Sequence, residues 1–133
     1  MSLNIKAILR RGEFCLDIDA QIPLSGVTAV FGRSGCGKTT LLRIIAGLER
    51  VPDARITFAG SPWQNGRTFV PLYKRRVGLV FQEPSLLPHL TVQGNLLYGY
   101  QRTPPELRRL QLAQVTDMLR AFIPRIDDLF QPL

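Results

Sequence analysis

The sequence predicts an α/β fold in which a buried strand runs through a glycine-rich loop into an amphipathic helix. Three adjacent observations predict it. Val27-Thr28-Ala29-Val30-Phe31 is a short, β-branched, apolar run of the kind found in strands covered on both faces. Gly32-Arg33-Ser34-Gly35-Cys36-Gly37-Lys38-Thr39 follows with the spacing G-x-x-x-x-G-K-[ST]. Leu41, Ile44, Ile45 and Leu48 then recur at i, i+3, i+4 and i+7 and define one apolar helix face.

The residue types of the loop point to one chemistry, the holding of nucleotide phosphates. Glycines let the backbone curl until successive N–H groups face one concavity, which binds anionic oxygens at the positive end of the following helix. Lys38 can reach the β- and γ-phosphates, and the Thr39 hydroxyl can ligate Mg²⁺. The candidate nucleotide-binding residues are Gly32, Ser34, Gly35, Cys36, Gly37, Lys38, Thr39 and Thr40, with Lys38 also a candidate catalytic residue. The competing structural reading is a glycine-rich turn that caps a helix. A helix N-terminus favours a thiolate, but Cys36 reads as a small filler of the loop rather than a redox switch.

Upstream, strand-like stretches near Leu3–Leu9 and Phe14–Ile22 form a hairpin across the Arg11-Gly12 turn. Downstream, Arg55-Ile56-Thr57-Phe58-Ala59 reads as a strand closed by Gly60-Ser61-Pro62, and Val77-Gly78-Leu79-Val80-Phe81 as another buried strand. Trp63, beside Pro62, reads as packing. After Pro88 the pattern is mainly helical. Thr103-Pro104-Pro105-Glu106 is a capping box with proline in the first turn, and Val115, Met118, Leu119 and Phe122 repeat at helical spacing until Pro124.

Composition excludes several classes. Apolar residues make up 45% of the 133 positions and charged residues 20%, which suits one small globular domain and not a disordered tail. No run approaches the roughly 18 apolar residues needed to cross a bilayer, and Met1–Lys6 lacks the apolar core of a secretory signal, so a cytoplasmic protein is expected. Cys15 and Cys36 offer neither a disulfide framework nor metal-ligand spacing. The net charge of +7 raises the question of nucleic acid. Its basic clusters, Arg10-Arg11, Lys74-Arg75-Arg76 and Arg108-Arg109, are short, scattered and free of interleaved aromatics, so a solvated face or subunit docking is expected and nucleic-acid binding is not.

A second motif begins where the Val77–Phe81 segment ends. Gln82-Glu83-Pro84-Ser85-Leu86-Leu87-Pro88-His89-Leu90-Thr91-Val92 resembles the glutamine loop of ABC transporter ATPases. By itself a glutamine at a strand end carries only a structural reading; the phosphate loop upstream gives it the functional one. The resemblance covers nearly the whole chain, including Leu42-Arg43-Ile44-Ile45-Ala46-Gly47-Leu48-Glu49. Val80-Phe81-Gln82-Glu83 and Gly94-Asn95-Leu96-Leu97-Tyr98-Gly99 resemble in particular the ATPase subunits of molybdate importers. What the resemblance implies is a P-loop NTPase of the ABC ATPase type that binds ATP and Mg²⁺. It would dimerise with a second ATP-binding subunit, most simply as a homodimer, and drive a transmembrane permease from the inner face of the cell membrane. In that family the strand-end glutamine senses Mg²⁺ and the γ-phosphate, which makes Gln82 a candidate catalytic and metal residue beside Thr39. An upstream aromatic stacks on adenine, the place that Phe14 holds here; simple core packing is the alternative. His89 lies too early for the family's switch histidine and reads as structural.

The resemblance also sets expectations about organisation. Residues 1–87 would be the N-terminal part of the nucleotide-binding core, β-rich and carrying both loops, and residues 88–133 the start of a helical subdomain. Pro52-Asp53-Ala54 replaces a glycine that relatives carry before the strand at Arg55, so the turn there is expected to be reshaped. The sequence reaches Leu133 without the family's L-S-G-G signature, second metal-binding aspartate, catalytic glutamate or switch histidine. The expectation is therefore the first part of a cassette, whether shortened, frameshifted or degenerate, that is inactive alone. Two other readings stay open: a soluble ABC-type ATPase unconnected to transport, and a non-catalytic nucleotide-binding fragment.

Overall fold

The computed structural model describes residues 1–83, 85–111, 113–115, 117 and 118. They fall into two compact units, Met1–Val80 and the residues from Phe81 onward.

The first unit is built on an antiparallel sheet. β1 (Ser2–Arg11) and β2 (Phe14–Pro23) form the expected hairpin in full register from Ser2↔Pro23 to Arg11↔Phe14, with Gly12 and Glu13 as its turn. β3 (Arg55–Phe58) pairs with the other edge of β1, and β4 (Ser61–Asn65) and β5 (Thr68–Phe69) extend the sheet to the order β2-β1-β3-β4-β5. Gly60-Ser61-Pro62 does not simply close β3. The turn is Ala59-Gly60, both at positive φ, and Ser61 already pairs with Phe58. The β4–β5 hairpin turns through Gly66-Arg67, with Gly66 at φ 53 and Asn65 already paired to Thr68, a turn that the strand reading passed over.

One helix, α1 (Lys38–Ala46), covers the apolar face of this sheet. Alternation along β1 turns Leu3, Ile5 and Ala7 inward, where they meet Leu41 and Ile44 of α1 together with Val51, Ala54, Ile56 and Trp63. Ile5, Ile44, Ile56 and Val51 are fully buried, each worth about 1.5–3 kcal/mol of removal from water. Leu48 does not continue the helical face: α1 ends at Gly47 (φ 81), leaving Leu48 37% exposed. Trp63 does pack, stacked on Phe58 at 4.4 Å. A bulge between the Ile56↔Gln64 and Thr57↔Pro62 pairs makes Trp63 an extra residue, so Trp63 and Gln64 are buried in succession where a regular strand would send them to opposite faces.

Two expected strands are absent. Val27–Phe31 and Val77–Phe81 carry no ladder among the described residues, and Val27, Phe31 and Val80 stand 98%, 90% and 94% exposed. The strands of the sheet pair with one another and leave these segments no neighbour. An apolar, β-branched segment becomes a strand only when another backbone supplies its hydrogen bonds.

The second unit contains α2 (Val92–Arg102), capped by the Thr91 hydroxyl, which accepts from the Gly94 N–H at 3.0 Å. Thr103 is not the helix start that its capping-box pattern suggests. It closes α2, its hydroxyl donating to the Gly99 carbonyl at 2.9 Å, and only a 3₁₀ turn, Pro105–Leu107, follows. Residues 113–115, 117 and 118 are helical; Leu119, Phe122 and Pro124 lie outside the described residues. No helix among the described residues is long and apolar enough to cross a membrane.

Candidate nucleotide-binding site

The loop between Phe31 and α1 curls because Gly35 and Gly37 take φ values of 78 and 104, a region that side chains with a Cβ enter only with strain. Gly37 is also confined: a Cβ there would stand 3.0 Å from the Phe14 ring and 3.2 Å from Leu16. The turn closes with the Cys36 N–H on the Arg33 carbonyl at 3.2 Å, and the first helical bond runs from the Leu41 N–H to the Gly37 carbonyl at 2.8 Å. The Gly37, Lys38, Thr39 and Thr40 amides are left to the loop. Gly37 has no side chain to cap them, and the first turn of α1 holds no acidic residue to compete for them.

Lys38 reaches back across this concavity. Its Nζ donates to the Gly32 and Arg33 carbonyls, both at 2.8 Å, and lies 3.7 Å from the Cys36 Sγ. The ammonium thus caps its own loop with two neutral acceptors and no carboxylate. Incoming phosphate oxygens would exchange neutral partners for charged ones, a stronger class of hydrogen bond. Thr39 and Ser34 are exposed at the loop and Thr40 is half-buried. Cys36 is a free, exposed thiol whose Sγ packs over Gly32. The structure therefore gathers Gly32, Ser34, Gly35, Cys36, Gly37, Lys38, Thr39 and Thr40 in one loop with Phe14 against it. Gln82 lies in the second unit, exposed, at a bend rather than at the end of a strand.

Two residues escaped the sequence reading. Arg75, the centre of the basic Lys74-Arg75-Arg76 run, is no part of a solvated face: it is 4% exposed and bonded to backbone carbonyls of Ile44, Ile45 and Val70. Asn95 of α2 holds the segment after Gln82. Its Oδ1 accepts from the Leu87 N–H at 2.7 Å, and its Nδ2 donates to the Leu87, Leu90 and Thr91 carbonyls at 3.1, 3.2 and 2.9 Å. The signal for Asn95 was the hydrogen-bonding capacity of an amide placed four residues after a helix N-cap; no local signal distinguishes Arg75 from its neighbours.

A glycine-bent loop feeding amides, an ammonium and a threonine hydroxyl into the N-terminus of a helix defines a phosphate-loop nucleotide-binding module. The profile of one family, described as ABC transporter, matches residues 15–128, and the chain belongs to that family. Among curated relatives, the molybdenum import ATP-binding protein ModC of Methylococcus capsulatus is 54% identical over 106 residues, covering 80% of this chain and 30% of that protein. ModC of Pseudomonas fluorescens is 48% identical over 121 residues, 90% of this chain and 34% of the relative. ModC 2 of Bradyrhizobium diazoefficiens is 58% identical over 90 residues, 68% of this chain and 10% of the relative. The chain thus spans between a tenth and about a third of the length of these relatives.

Proposed function

We propose that this chain is the phosphate-loop and glutamine-loop part of an ABC importer ATPase, binding ATP with Mg²⁺ and coupling its binding and hydrolysis to transport of an oxyanion such as molybdate. The observation that carries the nucleotide reading is the Lys38 ammonium held by two loop carbonyls over a concavity of free helix-terminal amides. The ATP phosphates fit this donor set. The amides of Gly35 and Gly37 through Thr40 and the Lys38 ammonium would hold them, with the Phe14 ring as the nearby aromatic surface for adenine. Mg²⁺ fits through the exposed Thr39 hydroxyl and the phosphates, an all-oxygen donor set of the kind that ion takes. Bound metal would supply charge neutralisation at the phosphates, and Gln82, by its resemblance to the family's glutamine loop, is the proposed sensor of the metal and the γ-phosphate.

The oxyanion assignment rests on the ModC relatives and on the Gly94–Gly99 segment that resembles theirs. Residues 1–87 are then the nucleotide core and 88–133 the beginning of a helical subdomain. The partners would be a permease and a second ATP-binding subunit at the inner face of the membrane. The test is ATP turnover by the full-length protein with its permease in vesicles. Molybdate should stimulate turnover where ferric iron does not. Stimulation by ferric iron alone would overturn the cargo, and turnover indifferent to every solute would favour a soluble ATPase unconnected to transport.

A further inference from the structure

Arg75 is a buried cation without a counter-ion. Among the described residues the ion pairs are Lys6–Asp19, Arg11–Glu49 and Arg43–Glu49, and none includes it. Burial pulls its pKa below that of an ordinary guanidinium. A buried charge persists only where other groups replace its hydration. Here Nη1 donates to the Ile44 and Ile45 carbonyls and Nε to the Val70 carbonyl at 2.8 Å, Nη2 is buried with no hydrogen-bond partner among the described residues, and the guanidinium lies 5.2 Å from the ring centroids of both Trp63 and Phe69. Ile44 and Ile45 belong to the last turn of α1, the negative end of its dipole. Gly47 closes the helix at φ 81 directly against it: a Cβ there would stand 2.7 Å from the guanidinium carbon and force it to shift.

The two ends of α1 therefore have different tasks. Its N-terminus is the nucleotide loop, and its C-terminus is clamped by Arg75 to the Val70 backbone and two aromatic faces of the sheet. The helix has nine residues, about 13 Å of rigid rod, so a tilt at one end displaces the other. We infer that Arg75 is a positioning residue for the nucleotide site, clamping the C-terminal end of α1 so that Lys38, Thr39 and the loop amides meet the phosphates in one fixed direction. This rests on the nucleotide reading above.

The test measures Mg-ADP affinity by calorimetry on folded protein, well below each variant's melting temperature. Arg75→Met keeps the bulk and loses the donors; Arg75→Lys keeps the charge but cannot span Val70 and α1 from one ammonium. Affinity should fall by about tenfold for Arg75→Met, the lower end of what losing a supporting group costs a bound ion, and by less for Arg75→Lys. Millimolar guanidinium added to Arg75→Ala should restore affinity where sodium chloride does not. A lower melting temperature with unchanged affinity would make Arg75 purely structural and overturn the inference. Should the variants fail to fold, the wild type decides through reciprocity: Mg-ADP must slow amide exchange at Gly47 and Leu48, at the far end of α1, and unchanged exchange there overturns the inference. A wild-type chain that binds no nucleotide sinks the nucleotide reading as well, an outcome distinct from binding that ignores Arg75.

Discussion

Asp53 occupies a backbone position, φ 60, that favours glycine, and this is how the turn before β3 is reshaped. Pro52 fixes the preceding φ and the Ala54 N–H closes the turn on the Val51 carbonyl at 3.3 Å, so Asp53 sits where a type II turn requires positive φ. Ala59, at φ 48, bears the same strain without a polar side chain to relieve it. Ala59→Asn, a residue favoured at the first position of this hairpin turn, should stabilise the fold by about 0.5–1 kcal/mol. A thermal melt that shows no rise would contradict the assignment of strain. Gln82 poses a functional test at the same scale. If Gln82 is the proposed γ-phosphate sensor, Gln82→Ala in the full-length protein should depress hydrolysis more than nucleotide affinity, because such a sensor acts mainly once the site has closed. Equal losses in both would make it an ordinary binding residue. The phosphate loop was legible because its chemistry is local, each residue type demanded by a backbone angle or a donor. Arg75 was not, because burial of a cation depends on residues 30 and 31 positions away that no window on the sequence brings together.

The elements divide in the same way. The β1–β2 hairpin and α1 were legible from alternation and from the 3.6-residue period, both set by one face of a single element. Val27–Phe31 and Val77–Phe81 were misread because strand formation needs a partner, and periodicity says nothing about whether one is present. The capping box at Thr103 lost to the preceding helix, since the same hydroxyl closes α2 instead. Asn95 is the strongest local organiser of the second unit, fixing the Leu87–Thr91 backbone against α2 through both halves of its amide. Asn95→Ala leaves those groups to water and should raise the exchange rate of the Leu87 amide about tenfold or more, equivalent to about 1.4 kcal/mol of lost protection. An unchanged rate would show that the loop holds itself. In the first unit, Ile44→Ala empties a fully buried site under α1 and should cost about 2–5 kcal/mol in denaturant unfolding.

For the molecule as a whole, the strand patterns foretold a β-rich N-terminal part, and the sheet order followed from no pattern in the sequence, since strand neighbours are chosen by packing. Val27, Phe31 and Val80 stand out of the first unit with unpaired backbone beside them, an arrangement prone to edge association. Sedimentation of the 133-residue chain should therefore show concentration-dependent association despite its charge of +7. Its ATP turnover should fall far below the ~1 s⁻¹ usual for enzymes, because a phosphate loop and one hydroxyl lack a residue that positions water. Catalysis can fail in this way while nucleotide binding persists. The measurement that tests it most directly is calorimetric titration of the chain with Mg-ATP, beside Lys38→Ala shown by circular dichroism to be folded. Saturable binding to the wild type that Lys38→Ala abolishes is the predicted result; equal affinity in both, or none in the wild type, would contradict it.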